Sequence, residues 1–166
     1  MKKLAVVLCG GFLSLFVLIS LAQAADKFAY IDLSRTFSEY YKTKDSDKIL
    51  TEKEKNYTTE RDKKLDEFNA LKDKFALLSD KEKNAKKSEL EAKAKSLKDF
   101  VTQKEGDLRK EQEEKMKEIL KDIQDAVKEY SEKSGISMVL NDRVLVYQNK
   151  SMDITSNIIE ILNKKQ

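Results

Sequence analysis

The chain has 166 residues, with 33 Lys and Arg against 30 Asp and Glu, and no His, Pro or Trp. Without His there is no Ser-His-Asp or Cys-His relay and no His-ligated zinc, and the single Cys can form neither an internal disulfide nor a cysteine metal cluster. The four glycines form no phosphate-cradling loop, and the absence of Pro beside so much Lys and Glu favours long uninterrupted helices.

The N-terminus reads as an address. Lys2 and Lys3 precede an apolar run from Leu4 to Leu21, and Ala22-Gln23-Ala24 supplies a small-x-small cleavage site. A secretory signal peptide over residues 1–24 is expected, cleaved after Ala24. Cys9 lies inside the apolar run, behind Val6-Val7-Leu8, and is discarded with it. The remaining 142 residues carry no Cys and are nearly balanced in charge. The export signal points to a bacterial periplasm, where any activity has to run without nucleotide.

Composition divides the mature chain into three regions. Residues 27–43 are apolar and aromatic, 136–164 are apolar again, and 47 of the 89 residues between 45 and 133 are charged. The two ends, 25–43 and 134–166, are expected to build one body, from which 44–133 projects. Lys27–Leu33 reads as a strand with Phe28, Tyr30 and Asp32 on one face. Ser34 reads as the cap of a helix running to about residue 77, with Phe37 and Tyr41 on one side. Ser79 and Glu82 form a capping box, so a second helix is expected over 80–133. At 1.5 Å per residue the helices would be roughly 66 and 80 Å long. The tight link near 78–82 makes them an antiparallel hairpin.

The hairpin seam is thin. Tyr57, Leu65, Phe68, Leu71, Phe75 and Leu78 face Leu90, Ala94, Leu97, Val101 and Leu108, then Met116, Ile119 and Ile123, with gaps at Lys104 and Gln112. Glu-to-Lys pairs four residues apart, such as Glu60/Lys64, Glu111/Lys115 and Glu129/Lys133, support the helices. Gly135 stops the return helix. Ile136–Leu140 and Arg143–Gln148 read as a β-hairpin turning at Asn141-Asp142. Asp153 or Ser151 then caps a last helix carrying Ile154, Ile158 and Ile161. The fold class is α+β, mostly helical: a coiled-coil hairpin on a small strand body that needs oligomerisation to cover its edges.

Both ends resemble the Skp/OmpH family of periplasmic chaperones. Tyr30-Ile31-Asp32-Leu33-Ser34-Arg35-Thr36-Phe37 is similar to the family's opening strand and helix start. Val139–Tyr147, with Asp153-Ile154-Thr155 and Ile158-Ile159, is similar to its closing segment. The resemblance implies a homotrimer with a small β-barrel body and three helical tentacles around a cavity. It also implies an ATP-independent holdase for unfolded outer-membrane proteins.

Three groups of candidate residues stand out. Ile49, Leu50, Leu77 and Phe100 partly leave the seam and are candidates for client contact. Lys72, Lys74, Lys81, Lys83, Lys86, Lys87, Lys93, Lys95 and Lys98 give the tip a net charge of +4 over residues 72–98. They are suited to an anionic membrane surface or acidic clients. Phe28, Ile31, Leu33, Val139, Leu140, Val144 and Val146 are expected to build the oligomerisation body. Asp32, Asp142 and Asp153 have no base or nucleophile beside them, so neither an enzyme nor a cofactor is expected, and no basic motif suggests nucleic acid. The competing reading is a coiled-coil spacer that docks its basic tip on the envelope.

Overall fold

The computed structural model describes residues 26–164, so the expected signal peptide lies outside the described residues. Strand β1 spans Lys27–Ile31, helix α1 Leu33–Glu39, α2 Tyr41–Ala76, α3 Asp80–Ser134, strand β2 Ile136–Asn141, and α4 Thr155–Lys164. Short 3-10 turns lie at Asp142–Val144 and Lys150–Met152. Among the described residues no helix is long and apolar enough to cross a membrane.

The helical hairpin forms where local signals place it. The Ser79 side chain accepts from the third helical N–H, and the Glu82 carboxylate accepts from the Ser79 backbone N–H at 3.1 Å. Gly135 ends α3 at φ 64, ψ 36, a left-handed conformation that costs little only without a Cβ. The 55 residues of α3 extend about 82 Å and run without a break from the tip into the body.

The outgoing arm differs from the expected single helix. The chain leaves helical geometry at Tyr40, at φ -71, ψ 129, and restarts at Tyr41. Asp32, rather than Ser34, caps α1, its carboxylate accepting from the Arg35 N–H at 2.8 Å. Ser34 is instead the second residue of α1.

The body packs both chain ends against the base of α3. β1 and β2 pair in parallel, with Ala29 opposite Val139 and Tyr30 opposite Leu140. The long helical excursion between them supplies the crossover that a parallel pair requires. On its other side β1 bridges Asp153, and the Ile154 N–H donates to the Tyr30 carbonyl at 3.1 Å. Beneath the strands Ala29, Ile31, Tyr40, Ile119, Ile123, Ala126, Ile154, Ile158 and Leu162 form the buried core. The α4 stripe is therefore Ile154, Ile158 and Leu162, with Ile161 half-buried beside it. Thr36 and Thr155 are buried within this body and satisfied. The Asp32 N–H donates to Thr155 Oγ1 at 2.9 Å, and Thr36 Oγ1 donates to the Asp32 carbonyl at 2.8 Å.

The expected β-hairpin is absent. Asn141 accepts from the Arg143 N–H, and the Leu145 N–H closes a 3-10 turn onto Asp142, so the chain turns away from β2 instead of folding back on it. The segment 143–148 has strand-like residues but no strand partner within the described residues. Val144, Val146 and Tyr147 consequently face solvent.

Candidate client-binding surface

The arm formed by α2 and α3 is held mostly by half-buried contacts. Beyond the joint with the body, Tyr57 is its one buried side chain among the described residues. Its hydroxyl donates to Glu105 at 3.0 Å, and its ring lies 6.1 Å from that of Phe100. Arg61 and Lys64 cover the two rings, at 5.7 Å from the Tyr57 centroid and 4.9 Å from the Phe100 centroid. Open grooves run beside this rivet on both faces of the hairpin. One open cleft, of about 750 Å³, is lined by Leu50, Thr51, Leu108 and Gln112. A second, of about 290 Å³, lies against Lys104. These are the two positions at which the seam pattern runs out of apolar residues.

Ion pairs close much of the remaining seam. Lys53 reaches Glu111 at 2.6 Å and Lys93 reaches Glu67 at 2.9 Å, both across the hairpin. Of the pairs expected within one helix, Glu60/Lys64 and Glu129/Lys133 form, at 3.8 and 2.8 Å. Glu111 instead serves the opposite helix, and Lys115 turns to Glu118 at 3.3 Å.

The four sequence candidates for client contact separate. Leu77 stands 88% exposed at the tip, and Ile49 is 47% exposed on the outside of α2. Leu50 lines the larger cleft. Phe100 does not leave the seam as expected, because Tyr57 lies opposite and draws it in. Leu65 and Met116, assigned to the seam by spacing, remain 42% exposed. At the tip Lys86, Lys87, Lys93 and Lys95 each have an acidic partner, at 3.8, 3.9, 2.9 and 2.6 Å. Lys72, Lys74, Lys81, Lys83 and Lys98 form no ion pair with a described residue.

The family model for outer membrane protein (OmpH-like) matches residues 27–162, nearly all of the described chain. The chain belongs to the OmpH-like family. This is the family that its two ends resemble. The Skp chaperone protein of Yersinia enterocolitica is 27% identical over 157 residues, spanning 92% of this chain and 96% of that one. A putative OmpH-like outer membrane chaperone from Caulobacter crescentus CB15 shares the fold. Its TM-score is 0.74 over 85% of this chain and 86% of that one, at 14% identity.

In this OmpH-like chain the residues that carry the resemblance meet in the body. Tyr30 through Phe37 form the end of β1, the Asp32 cap and α1. Asp153 accepts from the Thr155 N–H at 2.9 Å as α4 begins. The seven body candidates divide by burial. Ile31 belongs to the chain's own core, with Leu33 and Val139 packed against it. Leu140 joins those three along an apolar groove of about 330 Å³ beside α3. Phe28, Val144 and Val146 lie outside this packing and are exposed, as are Met138, opposite Phe28 on β2, and Tyr147. Met138 and Tyr147 were legible only as strand positions.

A polar cluster ties the arm to the body, and no local sequence signal announces it. Tyr40 is buried, and its hydroxyl donates to Asp122 at 2.8 Å. Lys42 reaches Asp122 at 2.7 Å and Glu118 at 3.3 Å. Burial, then the bond to Asp122, pushes the Tyr40 hydroxyl up to about 12. The Asp122 hydrogen bond holds Lys42 well above the ordinary ammonium range. Burial pushes the Asp122 carboxyl up, but the bonds from Lys42 and Tyr40 together outweigh it and hold the carboxyl below its usual range.

Proposed function

We propose that this protein is an ATP-independent periplasmic holdase that assembles as a homotrimer and keeps unfolded outer-membrane proteins from aggregating between its arms. The observation that carries the reading is the incompletely closed hairpin. A charged, soluble arm keeps Ile49, Leu65, Leu77 and Met116 at least 42% exposed and has one buried side chain along most of its length. Scattered apolar contacts of this kind bind an unfolded chain weakly at many points, so it stays mobile and is released without fuel. A simple spacer has no use for them. The names of the Yersinia and Caulobacter relatives support the chaperone role.

The trimer rests on the body. Phe28 and Met138, paired across the strands, are each exposed, as are Val144, Val146 and Tyr147, and 143–148 is a strand-like segment without a strand partner in its own chain. Pairing with a neighbouring subunit would supply the missing partner and cover both. The 25–43 and 134–166 segments act as the assembly body and 44–133 as the arm. Native mass spectrometry tests this directly. Three copies per particle, and one client per three copies after dilution of a urea-unfolded β-barrel protein, are expected. A monomer, or a client bound to single subunits, overturns the cage.

The five tip lysines without an ion pair support a second reading, in which the arm docks on an anionic membrane surface. Binding to anionic but not zwitterionic vesicles, weakened by salt, is its expected result.

A further inference from the structure

The break at Tyr40 has no local cause. Residues 33–50 contain neither Pro nor Gly, and the run Leu-Ser-Arg-Thr-Phe-Ser-Glu-Tyr-Tyr-Lys-Thr-Lys reads as continuous helix. In an unbroken helix the Tyr41 N–H would donate to the Phe37 carbonyl, and the Glu39 carbonyl would accept from the Thr43 N–H. Neither bond is present. The Tyr41 N–H donates to Asn163 Oδ1 at 3.0 Å, Asn163 Nδ2 donates to the Glu39 carbonyl at 3.2 Å, and the Thr43 N–H turns to the Tyr40 carbonyl at 3.2 Å. One side-chain amide on α4 thus replaces both partners that the broken helix has lost. The bent form also leaves a mark of its competitor. Thr43 Oγ1 is buried without a hydrogen-bond partner, whereas in a continuous helix it could bond back to the Glu39 carbonyl.

We propose that the α1–α2 junction is a two-state joint, bent when Asn163 of α4 clasps Tyr41 and Glu39, and straight when α1 and α2 merge into one helix. The clasp and the Tyr40–Asp122 bond hold the bent state, and the local helix preference of the sequence holds the straight one. Because α1 is packed in the body and α3 runs into it unbroken, straightening moves the base of α2 against α1 and α3 while α3 keeps its course. The C-terminal helix therefore sets how α2 sits at the base of the arm. The joint stands on these bonds whether or not the arms hold clients.

Spin labels on Ser38→Cys in α1 and Lys55→Cys in α2, with Cys9→Ser where that residue is retained, read the joint as a distance in the purified full assembly when labelled chains are diluted into an excess of unlabelled ones, so that only the pair within one chain is seen. A continuous helix would put the two positions ~26 Å apart along its axis. The unmodified joint should give one shorter, narrow distribution. Asn163→Leu should add a component near the continuous-helix separation. Tyr41→Pro should then remove it, since Tyr41 is the first residue of α2, where Pro is favoured, and Tyr40 already has the extended conformation that precedes Pro. Tyr41→Ala controls for loss of the ring and should leave the long component in place. An unchanged distribution in Asn163→Leu overturns the proposal, as does a new component that Tyr41→Pro fails to remove. Tyr41→Pro alone removes the N–H that Asn163 accepts from but also bars the continuous helix, so no component near the continuous-helix separation should appear, and its appearance overturns the proposal equally.

Discussion

Tyr57 should hold the arm closed almost by itself. Among the described residues it is the one buried side chain of the arm beyond the joint, with open grooves beside it, and Phe100 is the ring packed against it. Replacing a core aromatic by Ala costs about 3–5 kcal/mol, and the low end applies here because the site is thin and open to water. The Glu105 bond accounts for about 1 kcal/mol of that total, discounted for the same exposure. Tyr57→Phe should therefore cost about 1 kcal/mol and Tyr57→Ala about 3 kcal/mol, all of it in the arm. Amide hydrogen exchange reads this locally. Protection across 50–75 and 95–112 should fall roughly 100-fold in Tyr57→Ala, while amides around Ile123 in the body are unchanged. Undiminished arm protection would show that the ion pairs and half-buried seam suffice. An equal loss in arm and body would show that the two unfold together. Either result refutes the account of a singly riveted arm.

Gly135→Ala meets no atom within 4 Å, so its cost is the left-handed backbone alone, about 1 kcal/mol by thermal unfolding. Asp122→Asn should destabilise the body by about 1 kcal/mol at pH 7, a modest figure because solvent reaches both Asp122 and Lys42. Since the folded Asp122 carboxyl lies below its unfolded value, this contribution is complete above the unfolded range near pH ~4 and is lost as pH falls through the folded value. The stability gap between wild type and Asp122→Asn in pH-dependent unfolding should therefore close in acid, and a gap that widens in acid would reverse the assigned sign. Ile49→Asp with Leu77→Asp removes two exposed apolar contacts and should weaken client binding roughly tenfold in a fluorescence titration, with the native mass unchanged. Unaltered affinity would move client contact elsewhere on the arm.

Sequence signals that act within a few residues were readable. The Ser79/Glu82 box, the Gly135 stop and the Asp153 cap each work through a neighbouring backbone group, and each lies where its residues point. The gaps at Lys104 and Gln112 were legible for a similar reason, because a missing apolar residue leaves a cleft whatever stands opposite. The failures are tertiary. A good helix breaks at Tyr40 where two residues far along the chain supply partners, Asp122 to the Tyr40 hydroxyl and Asn163 to the Tyr41 N–H and the Glu39 carbonyl. Phe100 left the seam by spacing but is recovered by a ring across the hairpin. Residues 143–148 have the composition of a strand, but the 3-10 turn at Asp142–Val144 carries them away from the free edge of β2 instead of back along it.

Aggregation of a urea-unfolded outer-membrane β-barrel protein, followed by light scattering as it is diluted into the assembled protein without nucleotide, tests the holdase account most directly. Suppression that saturates at one client per three subunits is the predicted result. Undiminished aggregation in the presence of a correctly folded assembly would contradict it and leave the arm as an envelope tether.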